Sequence, residues 1–305
     1  MQSKKIIIVT GASSGFGAMT VRDLAEGGHV VYAGMRDITG RNTAAAGEAT
    51  EYARTNSVEL RPLEMDVSSQ DSVDAAVAAV LAEHGQIDVV VHNAGHMVLG
   101  PLESFTPEQL AGVYDTNAIS TQRVNRAVLP HLRRQRDGLI VWVGSTSTRG
   151  GTPPYLAPYF AAKAAEDALA VSSAAELARF GIDTVIVVPG SFTTGTNHFA
   201  HAGHPADADV EQAYEALYHG LMSQVASKLA DLAPADADAD PAEVGRAIAR
   251  VVAAPKGQRP FRVHIDPADD GSETVSRVAD LVRREFYGRI ELADLLTTAQ
   301  PASAR

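Results

Sequence analysis

The sequence predicts a doubly wound α/β fold: a parallel sheet with helices on both faces, followed by a C-terminal helical extension. Three observations predict it. Short apolar runs alternate with helical stretches over most of the chain. The runs lack polar alternation, as strands buried on both faces require. A glycine-rich turn joins the first run to the first helix, a strand–turn–helix unit typical of such folds.

Residues 6–9 (Ile-Ile-Ile-Val) read as the first buried strand, 18–26 as a helix and 30–33 as the second strand. Residues 58–63 form the third strand, followed by an Ala/Val-rich helix over 69–83. Further strands at 89–92 and 139–143 are separated by a helical region over 107–134. Residues 158–180 have helical spacing, and 184–188 are again a short apolar run. Residues 191–240, rich in Ala, Asp, Gly and His, read as a loop with one or two helices, of which 191–225 is a candidate lid. Asp240-Pro241-Ala242-Glu243 has the form of a helix start, with Asp240 as N-cap. Residues 261–265 are a candidate edge strand, and 275–296 an amphipathic helical segment that Gly288 is expected to break. With no internal repeat, residues 1–305 are read as a single domain, with 270–305 as its C-terminal extension.

Composition narrows the function. A 45% hydrophobic content supplies a sizeable core, and a net charge of −11 argues against nucleic acid or an anionic membrane as the main partner. There is no cysteine, hence no disulfide, thiolate metal site or Cys nucleophile. The apolar run before Gly11 is too short for a signal-peptide core or a membrane span, and a soluble, cytoplasmic setting is expected.

The turn Thr10-Gly11-Ala12-Ser13-Ser14-Gly15-Phe16-Gly17 offers what a phosphate needs: unpaired N–H groups at the positive end of a helix, glycines for close approach, and hydroxyls on Ser13 and Ser14. Residues 11–15 also match the G-x-S-x-G elbow of serine hydrolases. That elbow requires an oxyanion loop upstream, and nothing upstream of a first strand can supply one, so hydrolysis by Ser13 is the minor alternative.

In this setting the chain resembles the single-domain branch of the short-chain dehydrogenase/reductase family. The matching motifs are residues 10–17, Asp66-Val67, Asn93-Ala94-Gly95, Asn117, Ser145, Tyr159-x-x-x-Lys163 and Pro189-Gly190, in this order. They span roughly residues 4–195, with weaker similarity to about 265. The resemblance implies a Rossmann-type sheet and an oxidoreductase that interconverts a ketone or aldehyde and an alcohol. It implies that Thr10, Gly11, Ser13, Ser14, Gly15, Phe16 and Gly17 hold the pyrophosphate and adenosine ribose of a nicotinamide cofactor. Asp66 would bond the adenine amino group, with Val67 packed on the ring, and Asn93, Ala94 and Gly95 would line the floor. Pro189, Gly190 and Thr194 would hold the nicotinamide. A homodimer or homotetramer is also implied, with the helices of Asn117 and Tyr159 at a subunit boundary. The chain departs from the pattern at His92, where the family has Asn, at Gly144-Ser145 in place of a Ser pair, and in a Ser145–Tyr159 spacing one residue longer. Ser147 is therefore a second candidate for the serine role, with Thr146 behind it.

The chemistry follows from the residue types. A free tyrosine has a pKa of about 10 and is a poor base at neutral pH. Lys163 shares its helix face at i+4, and a nearby ammonium favours the tyrosinate. Tyr159 would then give or take the proton. The resemblance further implies that Lys163 bonds the nicotinamide ribose, that Ser145 holds the substrate oxygen, and that Asn117 orders a water beside Lys163. Tyr155 has no lysine four residues on and is expected to line the pocket or pack. A cofactor-binding redox sensor without turnover is the other alternative, and the full Asn–Ser–Tyr–Lys set argues against it.

An acidic residue ending the second strand would bond the ribose 2′-OH and repel a 2′-phosphate. That position falls near Gly34-Met35, followed by Arg36, which can pair with a 2′-phosphate. NADP(H) is therefore expected over NAD(H), with Asp37 assigned to the loop. His198, His201 and His204 recur at every third residue, but beside Gly203 and Pro205 they read as part of a substrate lid rather than a zinc site. Asp236, Asp238 and Asp240 fail the calcium-loop rule, with Pro241 at position six and Ala247 at position twelve. No metal is expected.

Overall fold

The computed structural model describes residues 3–192, 195–196, 198–199, 201–232 and 239–298, and only the backbone of Ala226 and Ala230. Thr194, Asp236 and Asp238 lie outside the described residues.

The described strands are β1 (Ile6–Thr10), β2 (Val30–Met35), β3 (Glu59–Glu64), β4 (Val89–His92), β5 (Gly138–Val143), β6 (Ile182–Pro189) and β7 (Arg262–Ile265). They form one sheet in the order β3-β2-β1-β4-β5-β6-β7, with every pairing parallel. The order reverses between β1 and β4, where Ile7 pairs with both Val30's neighbour Val31 and Val89. The crevice beyond the strand ends at such a reversal is where doubly wound folds bind ligands.

The helices are α1 (Gly15–Glu26), α2 (Thr43–Asn56), α3 (Gln70–His84), α4 (Pro107–Tyr114), α5 (Ser120–Gln135), α6 (Ala157–Ala178), α7 (Ala208–Leu217), α8 (Leu221–Ala230), α9 (Ala242–Ala253) and α10 (Ser272–Arg289). On one face Ile7, Val9, Val91 and Val141 pack against Leu24 of α1 and Ile248 of α9. On the other, Ile8, Ile140 and Trp142 pack against Val77 of α3, Val128 of α5 and Ala170 of α6. Both sides of each central strand are thus apolar, which is why the sequence shows runs rather than alternation.

Four details differ from the sequence expectation. Helix α2 was not foreseen, because it buries only Ala49 and shows little apolar periodicity. The region expected as one helix over 107–134 is divided by a π turn, Asp115–Ile119. Asp240 caps from one position further out than expected: its Oδ1 accepts the N–H of Ala242 at 3.0 Å, and the helix begins at Ala242. Gly288 does not break α10, which runs on to Arg289 before a short 3-10 turn, Ala293–Leu296. Among the described residues, no helix is long and apolar enough to cross a membrane.

Candidate active site

The first turn of α1 is open to an anion. Ser14 precedes it in extended conformation with no side-chain cap, and the turn carries no acidic residue, so its N–H groups and dipole are free for a phosphate. The turn needs its glycines: a Cβ on Gly17 would lie 2.5 Å from both Asn93 Nδ2 and Gly11 O, and Gly11 has φ +66°. Thr10 and Asn93 brace it from behind. Thr10 Oγ1 accepts the N–H groups of Asn93 and Ala94 at 3.0 Å each, and Asn93 Nδ2 donates to Thr10 O (2.9 Å) and Gly11 O (3.1 Å).

In front of this turn lies a groove of about 480 Å³, whose walls include Gly11, Ser13, Ser14, Gly15, Phe16 and Arg36. Asp66, Val67, Asn93, Ala94 and Gly95 continue the wall. Asp66 accepts Ser68 N–H at 2.9 Å and Ser68 Oγ–H at 2.7 Å. Burial acts to raise its pKa, but these bonds together with Arg36 and Arg123 hold the carboxyl below its ordinary range. Asp37 is turned away into its own loop, at φ +51°, with Oδ2 accepting Arg41 N–H at 2.7 Å. Arg41 joins Arg36 in the wall. The sequence reading missed it, although a second arginine five residues on was the available signal.

A second cavity, of about 370 Å³, adjoins the groove and shares Phe16, Met97 and His198 with it. Ser145, Thr146, Ser147, Tyr159, Pro189 and Gly190 line it. Ser145 follows β5 by two residues and its Oγ accepts Ser147 N–H at 3.2 Å, while Thr146 is buried. The Ser147 hydroxyl is buried without a hydrogen-bond partner. Phe192, Phe199 and Met97 form apolar wall, and Tyr155, expected to line the pocket or pack, packs in the neighbouring apolar cluster. Asp270, from the loop before α10, also reaches the cavity.

Lys163 lies behind this wall. Its Nζ donates to Val143 O at 2.9 Å and pairs with Glu166 Oε2 at 2.7 Å. A Cβ on Gly95 would stand 2.9 Å from Asn117 Oδ1 and 3.6 Å from Lys163 Nζ, so the three meet at one point. Asn117 lies on the π turn and is fully buried. Its amide is committed to the β4 loop, accepting His96 N–H at 3.1 Å and donating to His96 O at 2.9 Å, with a further bond to Val113 O at 2.9 Å.

Of the three histidines, His198 and His201 face the groove, while His204 O accepts Gln109 Nε2. Burial drives the His198 pKa down to about 4, with Lys163 and His96 adding to the effect. His92 bonds Asn125 Oδ1 at 2.9 Å in the core, and burial lowers it to about 4 as well.

The family model for short chain dehydrogenase matches residues 5–204. The chain belongs to this family. A 3-ketodihydrosphingosine reductase of Bacteroides thetaiotaomicron is 35% identical over 191 residues, covering 63% of this chain and 65% of the relative. The match thus spans slightly less than two thirds of that relative's length. The Bacillus subtilis oxidoreductase YusZ is 33% identical over 228 residues, 73% of this chain and 78% of its own. A solved structure of a variant actinorhodin polyketide ketoreductase with NADPH superposes with a TM-score of 0.71 at 26% identity, covering 88% of this chain and all of that one. The chain is therefore an oxidoreductase of the short-chain dehydrogenase/reductase family with a Rossmann-type sheet.

Proposed function

We propose that this protein is an NADP(H)-preferring reductase or dehydrogenase that interconverts a neutral, largely apolar ketone or aldehyde and its alcohol. One observation carries the reading: the phosphate-binding groove and the cavity holding Ser145 and Tyr159 share walls, so a dinucleotide and a carbonyl compound can meet. The uncapped α1 N-terminus and the cradle at Gly11 and Gly17 fit a pyrophosphate. Arg36 and Arg41 fit a 2′-phosphate, with Asp37 withdrawn from it. Asp66 and Val67 fit the adenine. Pro189 and Gly190 fit the nicotinamide end.

The bound cofactor supplies hydride transfer. Tyr159 gives its proton to the carbonyl oxygen in reduction and takes it back in oxidation. Ser145 holds that oxygen, with Ser147 as second candidate. Lys163 holds the ribose, and Asn117 fixes the loop and turn between which Lys163 sits. The second cavity is walled by phenylalanine, leucine and methionine, and Asp270 is the charged side chain among its described walls. That composition favours neutral substrates over carboxylates. The keto group in the names of two relatives agrees with this class.

The test is a fluorescence titration with NADPH and NADH, on the protein and on Arg36→Ala. The expected result is NADPH binding that Arg36→Ala weakens about tenfold or more, with NADH little changed, as loss of a charge-assisted contact requires. Binding of neither nucleotide would sink the reading and return attention to Ser13. The homo-oligomer implied by the family would use exposed Ile119 and Leu169, beside the helices of Asn117 and Tyr159. Light scattering should then give two or four times 32.1 kDa.

A further inference from the structure

The ammonium at the centre of the proposed acid/base site is not alone. Glu166, one turn along α6, places Oε2 2.7 Å from Lys163 Nζ, and the two side chains are 2% and 6% exposed. Nothing in the proton transfer proposed above uses this carboxylate. A buried ion pair is a poor stabiliser, since desolvation offsets its attraction and a well-packed apolar pair serves as well. Its presence beside the one lysine the chemistry needs therefore asks for another explanation.

We propose that Glu166 is a positioning residue of the acid/base site: its carboxylate anchors the Lys163 ammonium and offsets the positive charge that the ammonium projects onto Tyr159. The inference rests on the roles given to Tyr159 and Lys163 under the proposed function. Geometry supports the anchoring. Lys163 Nζ is held from one side by Val143 O of β5 and from another by Glu166, at the point where Gly95 and Asn117 close the site. An ammonium so held cannot swing away from the ribose position when the cofactor leaves.

The charges around the pair set its behaviour. Burial pushes the Glu166 carboxyl up to about 7; Lys163 acts against that rise, and Asp167, next on the helix, adds to it. Asp167 is itself held by Arg149 from the loop after β5 and by Arg262 of β7. Burial works to lower Lys163, but Glu166 and Tyr159 outweigh it, so the lysine stays protonated. From the lid and the β4 loop, His198 and His96 face the same region, both depressed by burial and so uncharged near neutral pH. The charge that changes near neutrality is thus that of Glu166. Above its titration the ammonium is countered; below it, the ammonium acts on Tyr159 unopposed.

The experiment follows the phenolate absorbance of Tyr159 against pH with NADP⁺ present. The Tyr159 signal is obtained by subtracting the titration of Tyr159→Phe, first with Glu166 in place and then with Glu166→Gln. The expected result is a midpoint about one pH unit more acid in Glu166→Gln, with the sharper form of a single ionisation. Midpoints that coincide overturn the inference, whatever the melting temperatures do, because a purely structural Glu166 would move stability alone. Should Glu166→Gln fail to fold, Glu166→Asp, which draws the carboxylate back by one methylene, must shift the midpoint the same way by less; no shift overturns the inference. Failure of the underlying reading is seen separately, as NADPH-dependent reduction of cyclohexanone that survives in Tyr159→Phe.

Discussion

Tyr159 and Lys163 are one helical turn apart, and the first of them lines the second cavity while the other is buried behind it. This division assigns different consequences to their loss. Tyr159→Phe removes only a hydroxyl at a cavity wall. It should retain the fold and NADPH binding while lowering kcat by about 10²–10⁴-fold, the usual worth of a general acid. Steady-state kinetics beside a binding titration checks this, and unchanged kcat would remove Tyr159 from the chemistry. The residues legible in advance were those whose role depends on local spacing: the glycine turn, and a tyrosine with a lysine at i+4. Arg41, Glu166 and Asp270 were not read as part of the site, and His198 was read only as part of a lid. Each acquires its neighbours from chain remote in sequence or from burial, neither of which a motif records. Ser145 stands between these cases, since its position after β5 was readable while the choice between it and Ser147 was not.

At the scale of elements, α6 is the hub. Its N-terminal turn carries the chemistry, and its middle anchors a buried charge network: Asp167 accepts from Arg149 at 2.5 Å and from Arg262 of β7, and Arg262 in turn meets Asp280 of α10 at 3.1 Å. The network joins the C-terminal helix to the loop that bears Ser145. Asp167→Ala leaves the half-buried Arg149 without its carboxylate and the buried Arg262 with Asp280 alone. It should cost about 3–5 kcal/mol, read as a lower urea midpoint at unchanged slope. A loss within experimental error would show the network to be solvated. Strands and the helices α1, α3 and α6 were readable to within a few residues because each buries an apolar face. Helix α2 was not, since it buries almost nothing. The π turn was invisible for another reason: beside its local bond to Val113 O, the Asn117 side chain is held by His96 of the loop after β4, a tertiary contact.

For the whole molecule, the buried His92 couples stability to acid. Burial lowers His92 from 6.5 to about 4. A histidine whose folded pKa is depressed contributes its full stability above its unfolded value of 6.5 and loses it as pH falls from there toward about 4. The contribution is about 3 kcal/mol at neutral pH. Two carboxyls raised in pKa by burial, the buried Glu166 to about 7 and the half-buried Asp266 to about 6, act in the opposite sense over an overlapping range. The clean measurement is therefore differential. The stability of the protein relative to His92→Asn, which keeps a polar group near Asn125, should decline between pH 6.5 and 4. A difference independent of pH would mean that His92 is not held neutral.

By itself the sequence determined the sheet, the strand–turn–helix unit that offers a phosphate site, and the Tyr–Lys pair. All three follow from local geometry and from which side chains avoid water. Only the tertiary structure decided that the two cavities share a wall, that Arg41 stands with Arg36 while Asp37 turns away, and that a carboxylate is buried against Lys163. The shared wall and the burial of Glu166 depend on distances between segments far apart in the chain, Phe16 and His198 at the wall among them. Such distances are set when both faces of the sheet are covered at once, a condition no single stretch of chain contains.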